Sequence, residues 1–427
     1  EPSEVMKNSQ SVEAVSPKLR PDGSFEFIFF SVPLEGFTDL LSEGTSMLFD
    51  RVPRVWENVQ KPYFNGQPFR VCSYNVLCQK QIARTAFLYQ HLLSSFGREY
   101  QLTWEYRSAL LAREFSMIDA DVLCLQEVQY DHYAQFYEPT LKAVGYSGIY
   151  NKRTGNMIDG CAIFFKSNME LIAYRSFEYK FDECTHLNKD NIGQTARFRL
   201  KDNNAEVCVF NTHLVFNKRL GDVKLAQLAV LLANLEKECG SSSKYECPYV
   251  VCGDFNMEPY SAMYNFFTGG QLSFENLKEF EVSGQGEIGG LKLEPDILPS
   301  SCNIGYNCCF NDKEEKLKYD LQKWTHNLKM ASVYLHITRN CAPEVSTFQS
   351  EDASNPDFIF YSVKQRDIQK LKSKGKQDAI VLTEGPLHLI RRLTLPDEMV
   401  LRATLGPWPN SATPSDHIPL VADFILE

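Results

Sequence analysis

Six apolar runs in this chain each have an acid, an amide or an imidazole at one end, and that repetition limits what the chain can fold into. The runs are 69–72, 121–125, 207–210, 249–252, 358–361 and 418–424. Beside them stand Ser73-Tyr74-Asn75, Leu125-Gln126-Glu127, Asn211-Thr212-His213, Gly253-Asp254-Phe255-Asn256, Pro356-Asp357-Phe358 and Ser415-Asp416-His417. Short apolar runs of this kind read as strands buried on both faces. One acid at a strand end is commonplace. Six such ends would carry polar groups to one rim of a pair of sheets, with the chemistry that a hard cation and a phosphate require.

Between the strands the periodicity turns helical. Leu110, Leu111, Phe115 and Ile118 predict a helix over 108–119, leading into the strand 121–125. Asp222 after Gly221 reads as an N-cap, and Val223, Ala226, Ala229, Val230 and Ala233 follow helical spacing. Leu228, Leu231, Leu232 and Leu235 widen that apolar face, so the helix should pack closely on a sheet. The pattern fits an α/β domain built in layers. A length of 427 residues suggests two or three domains, although layered α/β domains often run long. Residues 1–22 lack periodicity and read as a flexible tail. The aromatic run 25–30 reads as a strand added to a sheet edge, within an extension spanning 23–68. The main domain is expected over 69–427, interrupted at about 269–330 by loops with one short helix. No internal repeat is present.

Composition removes several alternatives. The chain is 44% hydrophobic and 12% aromatic, ample for a sizeable core. A net charge of −10 repels polyanions, so a nucleic acid would need a local basic patch or a metal-neutralised cleft. The Lys-rich stretch 364–376 could touch phosphates, but a solvated charged face explains it more simply. Thirteen cysteines include no CxxC pair, and five of them (Cys72, Cys124, Cys161, Cys208, Cys252) lie in strand-like runs. That usage points to a reducing compartment and away from zinc or a disulfide framework. No stretch has the length of a membrane span and no signal pattern opens the chain. A cytoplasmic location is expected, with nuclear or mitochondrial pools left open.

Mg²⁺ takes oxygen ligands, usually one or two carboxylates, and keeps waters and substrate oxygens. Glu127 fits such a ligand, although an ordinary Glu closing a strand would look the same. Asn75 ends a comparable strand, where its amide could steady a water or a phosphate oxygen. In Gly253-Asp254-Phe255-Asn256 the acid could take a proton from water beside the amide, while an Asx turn explains the same residues equally well. His417 could stabilise charge on a phosphoryl oxygen, with Asp357 holding its other nitrogen. His213 is a second imidazole able to face phosphate. His91, His132, His186, His326, His336 and His388 sit in no such setting and read as structural or surface residues. A Gly-x-Ser-x-Gly elbow, a nucleophilic-cysteine motif, a phosphate-binding loop and a dinucleotide fingerprint are all missing.

These segments resemble the endonuclease/exonuclease/phosphatase superfamily, in the branch holding the deadenylase catalytic subunits, nocturnin and the Angel proteins. The carrying motifs are Ser73-Tyr-Asn-Val-Leu77, Asp121-Val-Leu-Cys-Leu-Gln-Glu-Val128, Asp159-Gly-Cys-Ala-Ile-Phe-Phe165, Asn211-Thr-His-Leu214 and Gly253-Asp-Phe-Asn256. Tyr150-Asn-Lys-Arg-Thr-Gly155, Gly221-Asp-Val-Lys-Leu225 and Ser415-Asp-His-Ile-Pro-Leu420 bring it nearest the Angel group. The resemblance covers about 69–427. It implies a DNase I-like four-layer αββα sandwich of two mixed β-sheets flanked by helices. It implies Mg²⁺ as cofactor, with Mn²⁺ as a substitute, held by Glu127 with help from Asn75 and Asp416. Asp254 would orient the water, Asn256 and His213 would contact phosphate, and His417 would stabilise phosphoryl oxygens, oriented by Asp357. Asn191 would line the substrate cleft. The activity implied is removal of 2′,3′-cyclic phosphates from RNA 3′ ends. A 3′-to-5′ deadenylase, a small-molecule phosphatase and a non-catalytic RNA-binding or scaffold protein are the alternatives. A monomer with an RNA 3′ end as its partner, away from membranes, is expected.

Overall fold

A computed structural model describes residues 11–19, 24–33, 52, 54–59, 65–181, 185–240, 246–286, 288–311, 322–350, 352–370, 378–404 and 406–427. At 11–19, 24–33, 368–370 and 378–379 the description is of the backbone alone. Two mixed sheets face each other. Seven strands form one, in the order Trp56–Asn58, Leu387–Leu393, Leu420–Leu426, Gln67–Asn75, Val122–Gln129, Asp159–Lys166, Tyr146–Lys152. Six form the other, in the order Met330–Ser332, Asp357–Ser362, Tyr249–Asp254, Glu206–His213, Ile192–Leu200, Met169–Glu178. Each has a parallel pair near its centre, Gln67–Asn75 with Val122–Gln129 and Glu206–His213 with Tyr249–Asp254.

Period-two alternation sorts the side chains of these strands into layers. Val207 and Val209 enter the core between the sheets, while Cys208 and Phe210 pack under the helix Gly221–Cys239. Val122 and Cys124 face inward in the other sheet, while Leu123 and Leu125 lie beneath the helix Trp104–Ile118. Helix, sheet, sheet and helix thus make four layers. Both faces of the central strands are covered, which is why they read as unbroken apolar runs. Leu225, Leu228, Leu231 and Leu232 are fully buried, and truncating any one to Ala would cost about 2–5 kcal/mol.

Several boundaries differ from the sequence reading. The helix expected over 108–119 begins at Trp104, where Thr103 caps it by accepting from the Tyr106 N–H. Asp222 is not an N-cap. Leu220 holds that position, and Asp222 lies in the first turn, where the helix dipole favours an acid, and meets His186 at 3.4 Å. Gly221 can start this helix because it packs tightly: a Cβ there would lie 2.2 Å from the Glu279 carbonyl oxygen.

The tail expected over 1–22 is described only from Ser11, and Ser11–Leu19 runs as a strand. It pairs with Ser24–Pro33, which contains the aromatic run 25–30. That run is not an edge strand, because Ser24–Pro33 also pairs with Asp378–Thr383 inside a separate four-stranded sheet. Backbone pairing supplies order that side-chain periodicity did not announce. Among its described residues the segment 269–330 is mostly loops, with short strands at Gln271–Ser273 and Lys323–Thr325 and a short helix at Ser300–Cys302. The charged run 313–316 lies outside the described residues, as do residues 371–376 of the Lys-rich stretch 364–376.

Candidate active site

Sheet register brings the polar strand ends together. His213 is the ladder partner of Asp254, and Asp254 is the partner of Asp357. Residues directly opposed on neighbouring strands project from the same face. Their strand-mates Val209, Cys252 and Ile359 face the other sheet, so this row of three does as well. Across the gap, Asn75 ends its strand one position from Tyr74, which points outward. Asn75 therefore faces the row.

Asp254 is the hub. It is buried, and its Oδ2 accepts from the Asn75 side-chain amide at 3.0 Å. His213 Nε2 lies 3.5 Å from the same oxygen and His417 Nε2 lies 3.8 Å from it. Its Oδ1 accepts from the Asn256 backbone N–H at 3.0 Å. The Asx turn thus uses one oxygen, and the other faces an amide and two imidazoles. Burial, followed by the neighbouring Asp357 charge, pushes the Asp254 carboxyl up to about 7. An acid poised there can exchange a proton with water near neutral pH.

His417 is clamped from behind. Its Nδ1 lies 2.7 Å from Asp357 Oδ2, which also accepts from the Ser346 hydroxyl at 2.6 Å. Burial opposes a charge on His417. Asp357, by charge and hydrogen bond, and then Asp416 and Asp254 overcome that opposition and hold the imidazole well above its ordinary value. The ring is thus an imidazolium with Nε2–H directed toward the cleft. His213 behaves oppositely: burial, then Arg153, lowers it to about 4, so it is a neutral ring. The Nδ1 atom of His213 is buried without a partner.

Glu127 owes its aim to a β-bulge. Register against Asp159–Lys166 shifts between Leu125 and Val128, and Glu127 sits at φ 58°. That left-handed conformation costs a non-glycine residue roughly 1–2 kcal/mol. It turns the carboxylate out of the ladder toward Asn75, which donates at 3.1 Å, and toward the Cys78 backbone N–H at 3.0 Å. Burial and then the Asp416 charge raise the Glu127 carboxyl. Asp416 Oδ2 accepts from Tyr89 and Gln349. Ser415, beside Asp416, gives its hydroxyl proton to the Asn75 carbonyl at 2.7 Å, leaving Asp416 Oδ1 without a strong donor.

A half-buried Glu127 and a buried Asp416, each with spare lone pairs, suit a hard divalent cation. Asp254, Asp357 and His417 also have donor atoms mutually within 4.8 Å. In that trio Asp357 is already engaged by the His417 imidazole at 2.7 Å and by the Ser346 hydroxyl at 2.6 Å. Glu127 with Asp416 is the better-suited pair. Asn75 uses its N–H groups for the two acids and its oxygen for the Leu77 N–H, so it positions carboxylates.

The groups open into a cleft lined by Glu127, His213, Asp254, Asn256, Asp416 and His417 among others. Asn256 donates to the Leu214 carbonyl at 3.0 Å and retains a second amide hydrogen for substrate. Asn191, expected on the cleft wall, is instead buried. Its amide donates to the His213 carbonyl and accepts from Gln227, so it supports the His213 backbone from below. The resemblance implied a place on the cleft wall, whereas Asn191 stands just before the Ile192–Leu200 strand and bonds Gln227 of the helix Gly221–Cys239.

Sequence reasoning missed several groups. Arg107, fully buried, bonds the Val76 and Leu77 carbonyls and the Pro414 carbonyl, tying the two sides of the site together. Gln126 donates to Asn211 across the two sheets at 2.8 Å, and Asn211 in turn donates to the Leu125 and Ala162 carbonyls. Arg153 and Asp159 line the cleft. Asp159 opens an apolar run as Asp357 does, a signal that was legible. The histidines outside the site have structural partners: His91 meets the Pro409 carbonyl, His132 stacks on Trp104, His326 meets the Phe266 carbonyl, His336 meets Tyr264 and His388 meets Glu384.

Residues 72–417 match the family described as Endonuclease/Exonuclease/phosphatase. The chain is 37% identical to Protein angel homolog 2 of Homo sapiens, covering 85% of this chain and 70% of that protein. It is 32% identical to Protein angel homolog 1 of Rattus norvegicus, covering 92% and 70%. It superposes with TM-score 0.76 and 35% identity on the crystal structure of ANGEL2, a 2′,3′-cyclic phosphatase, in complex with adenosine-2′,3′-vanadate, covering 88% of this chain and 99% of that one. The human nocturnin catalytic domain with bound sulfate shares the fold at TM-score 0.52 and 22% identity, covering 88% and 98%.

Proposed function

The chain belongs to the endonuclease/exonuclease/phosphatase family, in the group of the angel homologues, and from that premise we propose that it is a divalent-metal-dependent phosphoesterase removing 2′,3′-cyclic phosphates from RNA 3′ ends. The observation that carries this reading is the assembly of Asp254, His417, Glu127 and Asp416 in one cleft, on a fold shared with a 2′,3′-cyclic phosphatase.

Asp254 takes a proton from the attacking water, its carboxyl near 7 matching the working pH. Asn75 and the Asn256 N–H hold that carboxylate in place. His417 donates from Nε2 to a phosphoryl oxygen as negative charge builds, and Asp357 keeps the ring charged and aimed. His213, neutral, contributes one hydrogen bond at most. Glu127 and Asp416 would hold the cation, Mg²⁺ or Mn²⁺, which would supply Lewis-acid stabilisation of the phosphoryl charge. The strained five-membered diester opens readily, and the same groups suit hydrolysis of the resulting monoester.

An acidic protein can bind an RNA end through a few contacts at the ribose, phosphate and terminal base. The twelve described cysteines are unbridged, which accords with a reducing, cytoplasmic setting. Among the described residues no helix is long and apolar enough to cross a membrane.

The test uses purified protein, Mg²⁺ and three RNA oligomers, ending in a 2′,3′-cyclic phosphate, a 3′-phosphate or an oligo(A) tail with free hydroxyls. Loss of the cyclic phosphate without shortening is expected. Progressive shortening of the tail would overturn the reading in favour of a deadenylase.

A further inference from the structure

Resting on that reading of the substrate, we propose that Arg153 and Asp159 form a sugar-hydroxyl subsite of the cleft: Asp159 accepts a hydrogen bond from a ribose hydroxyl at the RNA end, and Arg153 faces a phosphate oxygen.

Both side chains line the cleft beside Glu127 and His213. Asp159 is only 1% exposed, yet its Oδ1 has no hydrogen-bond partner. Its other oxygen lies 3.5 Å from Arg153 Nη1, an ion pair that leaves Oδ1 open. A buried carboxylate oxygen without a donor is costly, and a donor arriving with the substrate would remove that cost. In an RNA end the donors nearest a reacting phosphate are the hydroxyls of the adjoining ribose. They appear as the cyclic diester opens, so the interaction favours product-like states along the reaction.

Asp159 sits where its register implies. It pairs with Gln129 on the strand carrying the Glu127 bulge, which places it one step along the rim from the proposed cation ligand. Arg153 is held in a rigid loop. Lys152 Nζ donates to the carbonyls of Arg153, Gly155 and Met157. Arg153 Nε meets the Asp190 carbonyl and Thr154 meets the Asp190 side chain. Gly155, at φ +58°, lets the turn close on Asp190, whose carboxylate would lie 2.9 Å from any Cβ. A loop laced to this degree presents its guanidinium in one orientation. Burial and then Arg153 lower the His213 imidazole, so the guanidinium stands beside a neutral ring on the cleft wall.

The experiment measures binding of two RNA oligomers of one sequence, ending in a ribose diol or in a 2′,3′-dideoxy sugar. Asp254→Asn serves as parent, with Mg²⁺ present, so that nothing turns over. The parent should bind the diol end about tenfold more tightly, as expected for a hydrogen bond to a charged acceptor. Adding Asp159→Ala should bring the ratio close to one. Asp159→Asn, which retains an acceptor oxygen, should keep part of the preference and serves if the alanine variant fails to fold. Arg153→Gln should weaken both oligomers equally. Equal binding by the parent, or a preference that survives Asp159→Ala, overturns the subsite. So does a shifted Mg²⁺ midpoint with unchanged preference, which would make Asp159 a cation ligand. Cyclic-phosphate turnover by the unaltered protein is scored separately. Turnover without a hydroxyl preference sinks the subsite alone, and absent turnover sinks the functional reading.

Discussion

Replacing Asp254 by Asn should abolish turnover and yet stabilise the protein at neutral and alkaline pH. In the folded state its carboxyl is raised from 3.8 to about 7, first by burial and then by Asp357. Between those values the folded chain holds a proton that the unfolded chain has released. Unfolding then releases a proton, so this group's contribution to stability is complete below 3.8 and is lost as pH rises through 7. At 1.36 kcal/mol per pH unit the loss reaches ~4 kcal/mol by pH 8. Asn cannot ionise and avoids it. The new amide nitrogen would face the Asn75 amide across 3.0 Å, and one lost hydrogen bond returns about 1–3 kcal/mol. The net gain at pH 8 is therefore ~1–3 kcal/mol, turning to a net loss near pH 4. Denaturant unfolding of both proteins with a chelator, at steps from pH 4 to 8, reads the difference directly. That difference matters because His213, His326 and His336 are depressed to about 4, 4 and 3. They tilt both curves the other way below pH 6.5. A stability difference that does not change with pH would refute the assignment of Asp254 as a buried, raised carboxyl.

Glu127→Gln keeps the bonds to Asn75 and Cys78 partly intact but removes a cation ligand. Turnover should fall more than about a hundredfold and the Mg²⁺ midpoint should rise, and an unchanged midpoint in a metal titration would contradict its role. Asp357→Asn removes the charge that holds His417 protonated, leaving burial to lower the ring. The alkaline limb of kcat/KM should move to lower pH, with a loss of about 10²–10⁴ at pH 8, and a superimposable pH profile would exclude the clamp. Asn211→Leu strips the Leu125 and Ala162 carbonyls of a donor between the sheets. It should cost about 2–5 kcal/mol in denaturant unfolding, and a near-neutral change would show that water replaces the amide.

What could be read from the sequence followed from period two. Strands covered on both faces announce themselves as unbroken apolar runs, and the residue at each end is then a candidate for the rim. That reasoning reached Asn75, Glu127, His213, Asp254, Asp357 and His417. It could not reach Arg107, Arg153, Tyr89 or Gln349, which meet the site from elements outside the six strand ends. Asn191 was placed on the cleft wall by the resemblance alone, and its bonds to the His213 carbonyl and to Gln227 depend on a helix that no spacing around it announces. The Glu127 bulge was equally hidden, since nothing in Leu-Gln-Glu-Val marks where a ladder will shift. The separate sheet built on Ser11–Leu19 and Ser24–Pro33 depends on backbone pairing with residues near 380, a partner that no local pattern names.

The pairing of His213 with Asp254 and of Asp254 with Asp357 has a use outside catalysis. A slip of Asp357–Ser362 by a single residue would send Asp357 to the helix-covered face and bring an apolar neighbour to the rim. Such a molecule would keep nearly all of its secondary structure and lose its reaction centre. Turnover per mole of protein therefore counts the chains whose strands have locked in the right frame. In refolding experiments, the lag between recovery of circular dichroism and recovery of activity becomes a clock for strand alignment.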